Sequence, residues 1–200
     1  MNIVFVKHGD KYSAAHVNTL YDQLLSFYPD ATYHCYTEKR EGINDKVHII
    51  PIFTKPSLRR WWNKLALFSE DINLEGQCLY FDLDMKIIRD PRPFITSFDY
   101  LTVIESYWKL DNPVCAIKHN YDVYINSSII AWTAGNQNHI WDHFCTNKDY
   151  FMRKYAGIDR FLVHEKMQHK TFPDGLINSI NNRPNRSAAI DMYNGIYYEL

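Results

Sequence analysis

The chain has 200 residues, 46% hydrophobic and 22% charged, ordinary proportions for a folded globular protein. A formal charge of −1 and a pI near 6.7 leave no basic field to hold a polyanion, which excludes nucleic acid as the main partner. The first apolar run is too short for a signal-peptide core, and no stretch approaches the roughly 20 apolar residues of a membrane span.

Asn2–Val6 reads as a short buried strand that ends in the polar run Lys7-His8-Gly9-Asp10-Lys11. From Ser13, a plausible N-cap, Val17, Leu20, Tyr21, Leu24, Leu25 and Tyr28 recur at helical spacing until Pro29. Thr32–Tyr36 and Val47–Ile52 read as strands, so the first fifty residues predict a βαβ unit and a parallel sheet. Ser57–Ser69 predicts a helix with Leu58, Trp61, Trp62, Leu65 and Phe68 on one side. Its two tryptophans read as core and rim rather than as a sugar platform. The apolar run Leu79–Ile88 predicts a buried strand, and Tyr100–Ile104, Val114–Ile117 and Tyr124–Trp132 predict others. Helices follow over Asn136–Cys145, Lys148–Tyr155 and Asp159–Lys166. No repeat or linker interrupts residues 1–200, which read as one domain with a polar tail over 181–200. Cys35, Cys78, Cys115 and Cys145 are scattered, with no CxxC pair, which predicts reduced thiols and a cytoplasmic protein.

Two carboxylates interrupt the Leu79–Ile88 run. Side chains at i and i+2 of a strand point the same way, so Asp82 and Asp84 are expected to converge. Like charges beside an apolar sheet repel and lose hydration, and a bound cation is one remedy. Oxygen donors suit Mg²⁺ or Mn²⁺, which in turn hold phosphate oxygens. The plainer alternative is that both aspartates cap a loop or pair with Lys86 and Arg89. A phosphatase of the haloacid-dehalogenase type also places Asp-x-Asp after a strand, but it needs a Thr where Lys86 stands.

The ordered segments resemble the GT-A fold glycosyltransferases, in particular the glycogenin-like group and its bacterial and phage relatives. Val6-Lys7-His8-Gly9-Asp10-Lys11-Tyr12 resembles the first strand and nucleotide-cradling loop, and Tyr12–Leu25 the first helix. Trp61–Phe68 is similar to the helix whose Lys reaches the nucleotide-sugar, and Leu79–Asp84 to the Asp-x-Asp strand and turn. Ile125–Trp132 resembles an Asn-Ser-Gly strand, Gly157–Leu162 the segment lining the acceptor side, and Phe172–Ser179 a late turn and strand.

The resemblance implies a single-domain α/β fold, mostly parallel and flanked by helices. It also implies metal-dependent transfer of a sugar, UDP-linked in this family, to a hydroxyl acceptor. On that basis Lys7, His8, Gly9, Tyr12, Lys64, Asp82, Asn126 and Ser127 would bind the donor. Asp82 and Asp84 would hold Mn²⁺ or Mg²⁺, and Asp159 would orient or deprotonate the acceptor. Relatives take a third metal ligand from a C-terminal Phe-His-Gly. Here Tyr193-Asn194-Gly195 stands in its place, which makes Asn194 the candidate, with His164 and His169 as alternatives. For Lys7–Tyr12 the alternative is a polar turn, for Lys64 a solvated lysine, for Asn126 and Ser127 a strand-end polar pair, and for Asp159 a helix-start residue favoured by the dipole. The rival functions are a non-catalytic binding module on the same fold and, less favoured, a nucleotidyltransferase, whose Gly-rich first loop is missing.

Overall fold

The structure is a computed structural model that describes residues 1–53, 58–110, 123–181 and 187–193. The expected strand at 114–117 and the candidate ligand Asn194 lie outside those residues. Segments rich in β-branched and aromatic residues build β1 (Asn2–Lys7), β2 (Thr32–Thr37), β3 (Val47–Pro51) and β4 (Gln77–Phe81). The sheet continues through β6 (Thr102–Glu105), β7 (Ile125–Thr133) and β8 (Lys170–Thr171). Its strand order is β3-β2-β1-β4-β7-β6-β8. All neighbours are parallel except that β7 runs antiparallel to both β4 and β6. A small second sheet pairs β5 (Met85–Ile87), β10 (Ile190–Met192) and β9 (Ile177–Ser179), with β10 in the middle.

Both faces of the large sheet are covered, which is why its strands read as near-continuous apolar runs. Side chains divide by parity: Ile3, Phe5, Leu79, Phe81, Ile129 and Ala131 pack toward helix α1 (Ala14–Leu25) and the small sheet. Val4, Cys78, Tyr80, Ile130 and Trp132 pack toward the opposite helices, which span Arg60–Phe68, Asn138–Thr146, Lys148–Lys154 and Ile158–His164. Ser13 caps α1 as expected, and His16 takes the place of the usual Glu in closing the helix start, its Nδ1 accepting from Ser13 N–H at 3.2 Å. Burial pushes the Cys35 thiol up to about 12 and the Cys78 thiol to about 11, so both stay protonated and unreactive.

The Leu79–Ile88 run is not one strand. β4 stops at Phe81, Asp82 donates its N–H to Ser128 O at 2.8 Å, and the chain bends through Leu83 and Asp84 before β5 joins the other sheet. Charged side chains cannot enter a sheet covered on both faces, so the strand ends where they begin. The Ser57–Ser69 helix also differs from expectation: Arg60–Phe68 is a nine-residue 3₁₀ helix, a length unusual for that form.

At the amino end of the sheet, His34 stacks beside His48 with ring centroids 5.6 Å apart, and its Nε2–H donates to Asn2 Oδ1 at 3.0 Å. Burial, and then His48, push the His34 imidazole down to about 4 from 6.5. A depressed histidine pKa contributes stability that is complete above 6.5 and lost as pH falls toward 4. Denaturant melts at pH 7 and pH 5 should therefore show a loss of about 1 kcal/mol, after screening by solvent, that His34→Gln removes.

Candidate functional site

A cleft of about 770 Å³ opens at the carboxyl ends of β1 and β4. In open α/β sheets this is where ligands bind. The loop after β1 supplies one wall with His8, Asp10, Lys11 and Tyr12. The 3₁₀ helix supplies Arg60, Trp61 and Lys64, and the bend after β4 supplies Asp82 and Asp84. β7 contributes Asn126–Ser128, and the start of the helix Ile158–His164 contributes Gly157–Asp159.

Lys64 is the centre of the site. It is only 7% exposed, so it is not a solvated lysine. Its Nζ lies 2.8 and 2.9 Å from the two Asp82 oxygens and donates to Ser127 O at 3.2 Å. It also sits 5.2 Å from the centre of the Tyr80 ring. Tyr80 O–H donates to Asp82, and burial first, then that carboxylate, hold the phenol far above its ordinary pKa. Asp82 thus has its own fixed cation and a phenol donor. Neither alternative partner takes it: Lys86 is exposed on β5, and Arg89 Nε donates to Ala188 O.

Asp84, 6% exposed, reaches the same cleft from the bend rather than from a strand. Its carbonyl accepts from Tyr193 N–H at 3.1 Å, which fastens the bend to the end of β10, one residue before the candidate Asn194. Its charge raises the His16 pKa, against a larger lowering by burial.

β7 reaches past the end of β4, and there its register against β6 slips. Thr102 and Val103 pair with Ala131 and Ile130, but Ile104 and Glu105 pair with Asn126 and Ile125. The extra residues, Ser127 to Ile129, form a bulge that presents Ser127 and Ser128 to the cleft. Asn126 Oδ1 accepts from Ser128 N–H at 2.9 Å, and Asp159 Oδ1 accepts from Ser127 N–H at 3.0 Å. Asp159 therefore sits in the first turn of its helix and also bridges to the bulge.

Of the donor-site candidates, His8, Tyr12, Lys64, Asp82, Asn126 and Ser127 line the cleft together with Asp84 and Asp159. Lys7 and Gly9 do not. The Lys7 side chain falls on the buried α1 side of β1, and Gly9, at φ +65°, donates its N–H to Glu38 Oε1 at 2.6 Å. His164 stacks on Tyr155 and His169 bonds Met167 O, and neither lines the cleft. Sequence reasoning missed Tyr80, Ser128 and Arg60. Tyr80 was findable, since it stands at i−2 from Asp82 on the same strand face.

No protein-family model and no curated protein matches this chain. A crystal structure of the galactosyltransferase LgtC in complex with donor and acceptor sugar analogues superposes with a TM-score of 0.68 and 15% identity, over 98% of this chain and 88% of that one. The chain has the GT-A fold. A second LgtC structure, of an active-site mutant, agrees at a TM-score of 0.64 and 15% identity over 96% and 87% of the two chains. On the GT-A frame, the bend carrying Asp82 and Asp84 lies at the mouth of the sheet. Among the described residues no helix is long and apolar enough to cross a membrane.

Proposed function

We propose that this chain is a metal-dependent glycosyltransferase, acting as one domain in the cytoplasm, that moves a sugar from a nucleotide-diphosphate donor, UDP-linked, to a hydroxyl acceptor. The observation that carries the reading is the convergence of Asp82, Asp84, Lys64 and Asp159 on one cleft of a GT-A fold.

The charges support a metal. The cleft has four carboxylates, Asp10, Asp82, Asp84 and Asp159, against three fixed cations, Lys11, Arg60 and Lys64. A diphosphate adds negative charge to a site already short of positive charge, so a cation is needed to seat it. Among the described residues no group of three His, Cys, Asp or Glu side chains is placed to hold a metal ion. The two-carboxylate donor set still fits Mg²⁺ or Mn²⁺, which typically take one or two carboxylates and complete their shell with water and substrate phosphates. Asp82 and Asp84 would hold the ion, with Asn194 as a further oxygen donor. Bound there, it supplies charge neutralisation to the departing diphosphate.

The chain's own residues do the rest. His8 and Tyr12 flank the nucleotide, while Lys7 and Gly9 shape the loop from behind. Lys64 fixes Asp82 and keeps a positive charge beside the reacting sugar. Asn126 and Ser127 offer hydroxyl partners on the bulge. Asp159, oriented by the Ser127 N–H, positions the acceptor hydroxyl and can take its proton.

Donor at a hundred times its Kd with Mn²⁺ should add about 2.7 kcal/mol of stability, a rise of roughly 5–10 °C in Tm for a chain of this size. Screening UDP- and GDP-sugars with and without Mn²⁺ checks this, with UDP release in the presence of an acceptor as the activity readout. A shift without release supports the non-catalytic module. No shift with any donor overturns both.

A further inference from the structure

Trp61 stands apart from the other residues of its helix. Trp62, Leu65 and Phe68 are buried in the core, whereas Trp61 is 41% exposed and lines the cleft. Its place at the helix start explains its exposure: Arg60 and Trp61 open the helix, and every residue from Trp62 to Phe68 is buried. A 3₁₀ helix has three residues per turn, so positions i and i+3 eclipse. Trp61 therefore shares a row of the helix with Lys64, and both line the cleft with the Asp82 that Lys64 holds.

Two further features fix the ring. Arg60 places its guanidinium 5.5 Å from the ring centre and adopts φ +50°, a strained conformation for a non-glycine residue of the kind that clusters at ligand sites. Gly157 lies against the indole edge, and a Cβ there would meet Trp61 Nε1 at 3.1 Å. In the same cleft, Asp82, Asn126 and Asp159 contribute carboxylate and amide groups to the lining. A rigid aromatic face next to hydroxyl-bonding groups matches a pyranose, which has one apolar C–H face and an equatorial rim of hydroxyls.

Resting on the transferase reading, we infer that Trp61 is the platform on which a pyranose ring stacks in this cleft, held by Arg60 and admitted by Gly157. The ring is either the sugar of the donor or that of the acceptor.

The test uses the indole N–H resonances of the ¹⁵N-labelled chain, which has five tryptophans. Trp61→Phe removes one resonance and so assigns it. Titration with methyl β-D-galactopyranoside is expected to move that resonance saturably and leave that of the buried Trp132 in place. Trp61→Ala should weaken glycoside binding, read by saturation transfer to the sugar protons, tenfold or more, while Trp61→Phe stays within about threefold of the native chain. Gly157→Ala, which crowds the ring without removing it, should fall between them. Adding UDP-galactose separates the sources: displacement of the glycoside assigns the platform to the donor sugar, and simultaneous binding assigns it to the acceptor. A Trp61 resonance that moves with neither the galactoside nor the matching glucoside, or equal glycoside affinity in Trp61→Ala, overturns the inference. Glycoside binding through Trp61 in a chain that releases no UDP from any donor overturns the transferase reading alone.

Discussion

Asp84→Asn is expected to abolish the Mn²⁺-dependent rise in Tm with UDP-sugar and to lower kcat/KM about a thousandfold, near 4 kcal/mol of transition-state stabilisation. The substitution keeps the shape of a side chain that is almost fully buried, removes its charge and exchanges one acceptor oxygen for an NH2 donor. Far-ultraviolet circular dichroism and the Tm of the variant without ligand should match those of the native chain, which assigns the loss to cation binding rather than to folding. Donor-induced shifts of equal size with and without Mn²⁺ in the native chain would remove the metal from the proposal. Unchanged turnover in Asp84→Asn would remove Asp84 from it.

The second large effect concerns stability and needs no substrate. Lys64→Met leaves the Asp82 carboxylate facing only the Tyr80 hydroxyl, because both short Nζ contacts vanish together. Removing one member of a buried pair typically costs 3–5 kcal/mol. With the Asp82 side chain 22% exposed, the low end applies, about 3 kcal/mol, or roughly 6–12 °C in Tm. The double variant Lys64→Met/Asp82→Asn should recover most of that loss, since no charge is left stranded. Equal Tm values for the single and double variants would show that the pair is not coupled.

Most of the sheet was legible because both of its faces are buried. Residues 2–7, 32–37, 47–51 and 125–133 are apolar runs with turn residues at their ends, and each forms a strand within two residues of the expected range. The break at Asp82 was misread because period-2 alternation has no way to say where a strand stops. The end is set by what covers the sheet and by the Ser128 carbonyl that takes the Asp82 N–H. The Asp82–Lys64 pair was likewise out of reach: it joins residues eighteen positions apart on a helix and a bend, and the lysine alone looks like any surface lysine. The 3₁₀ form of Arg60–Phe68 has no sequence signal, because Leu58, Trp62, Leu65 and Phe68 satisfy the α-helical period equally well. The reading of the two tryptophans as core and rim matches their burial, with Trp62 inside and Trp61 at the cleft.

The pairing of β10 with β5 has a consequence for how the protein is made. Met85, next to Asp84, meets Met192, more than a hundred residues later in the chain. On a ribosome adding 5–20 residues each second, the acidic bend emerges and then waits roughly 5–20 s for the strand that clasps it. The last strand of the large sheet, β8, is complete at Thr171, so that sheet can assemble first and the acidic bend is fastened to it in one late step.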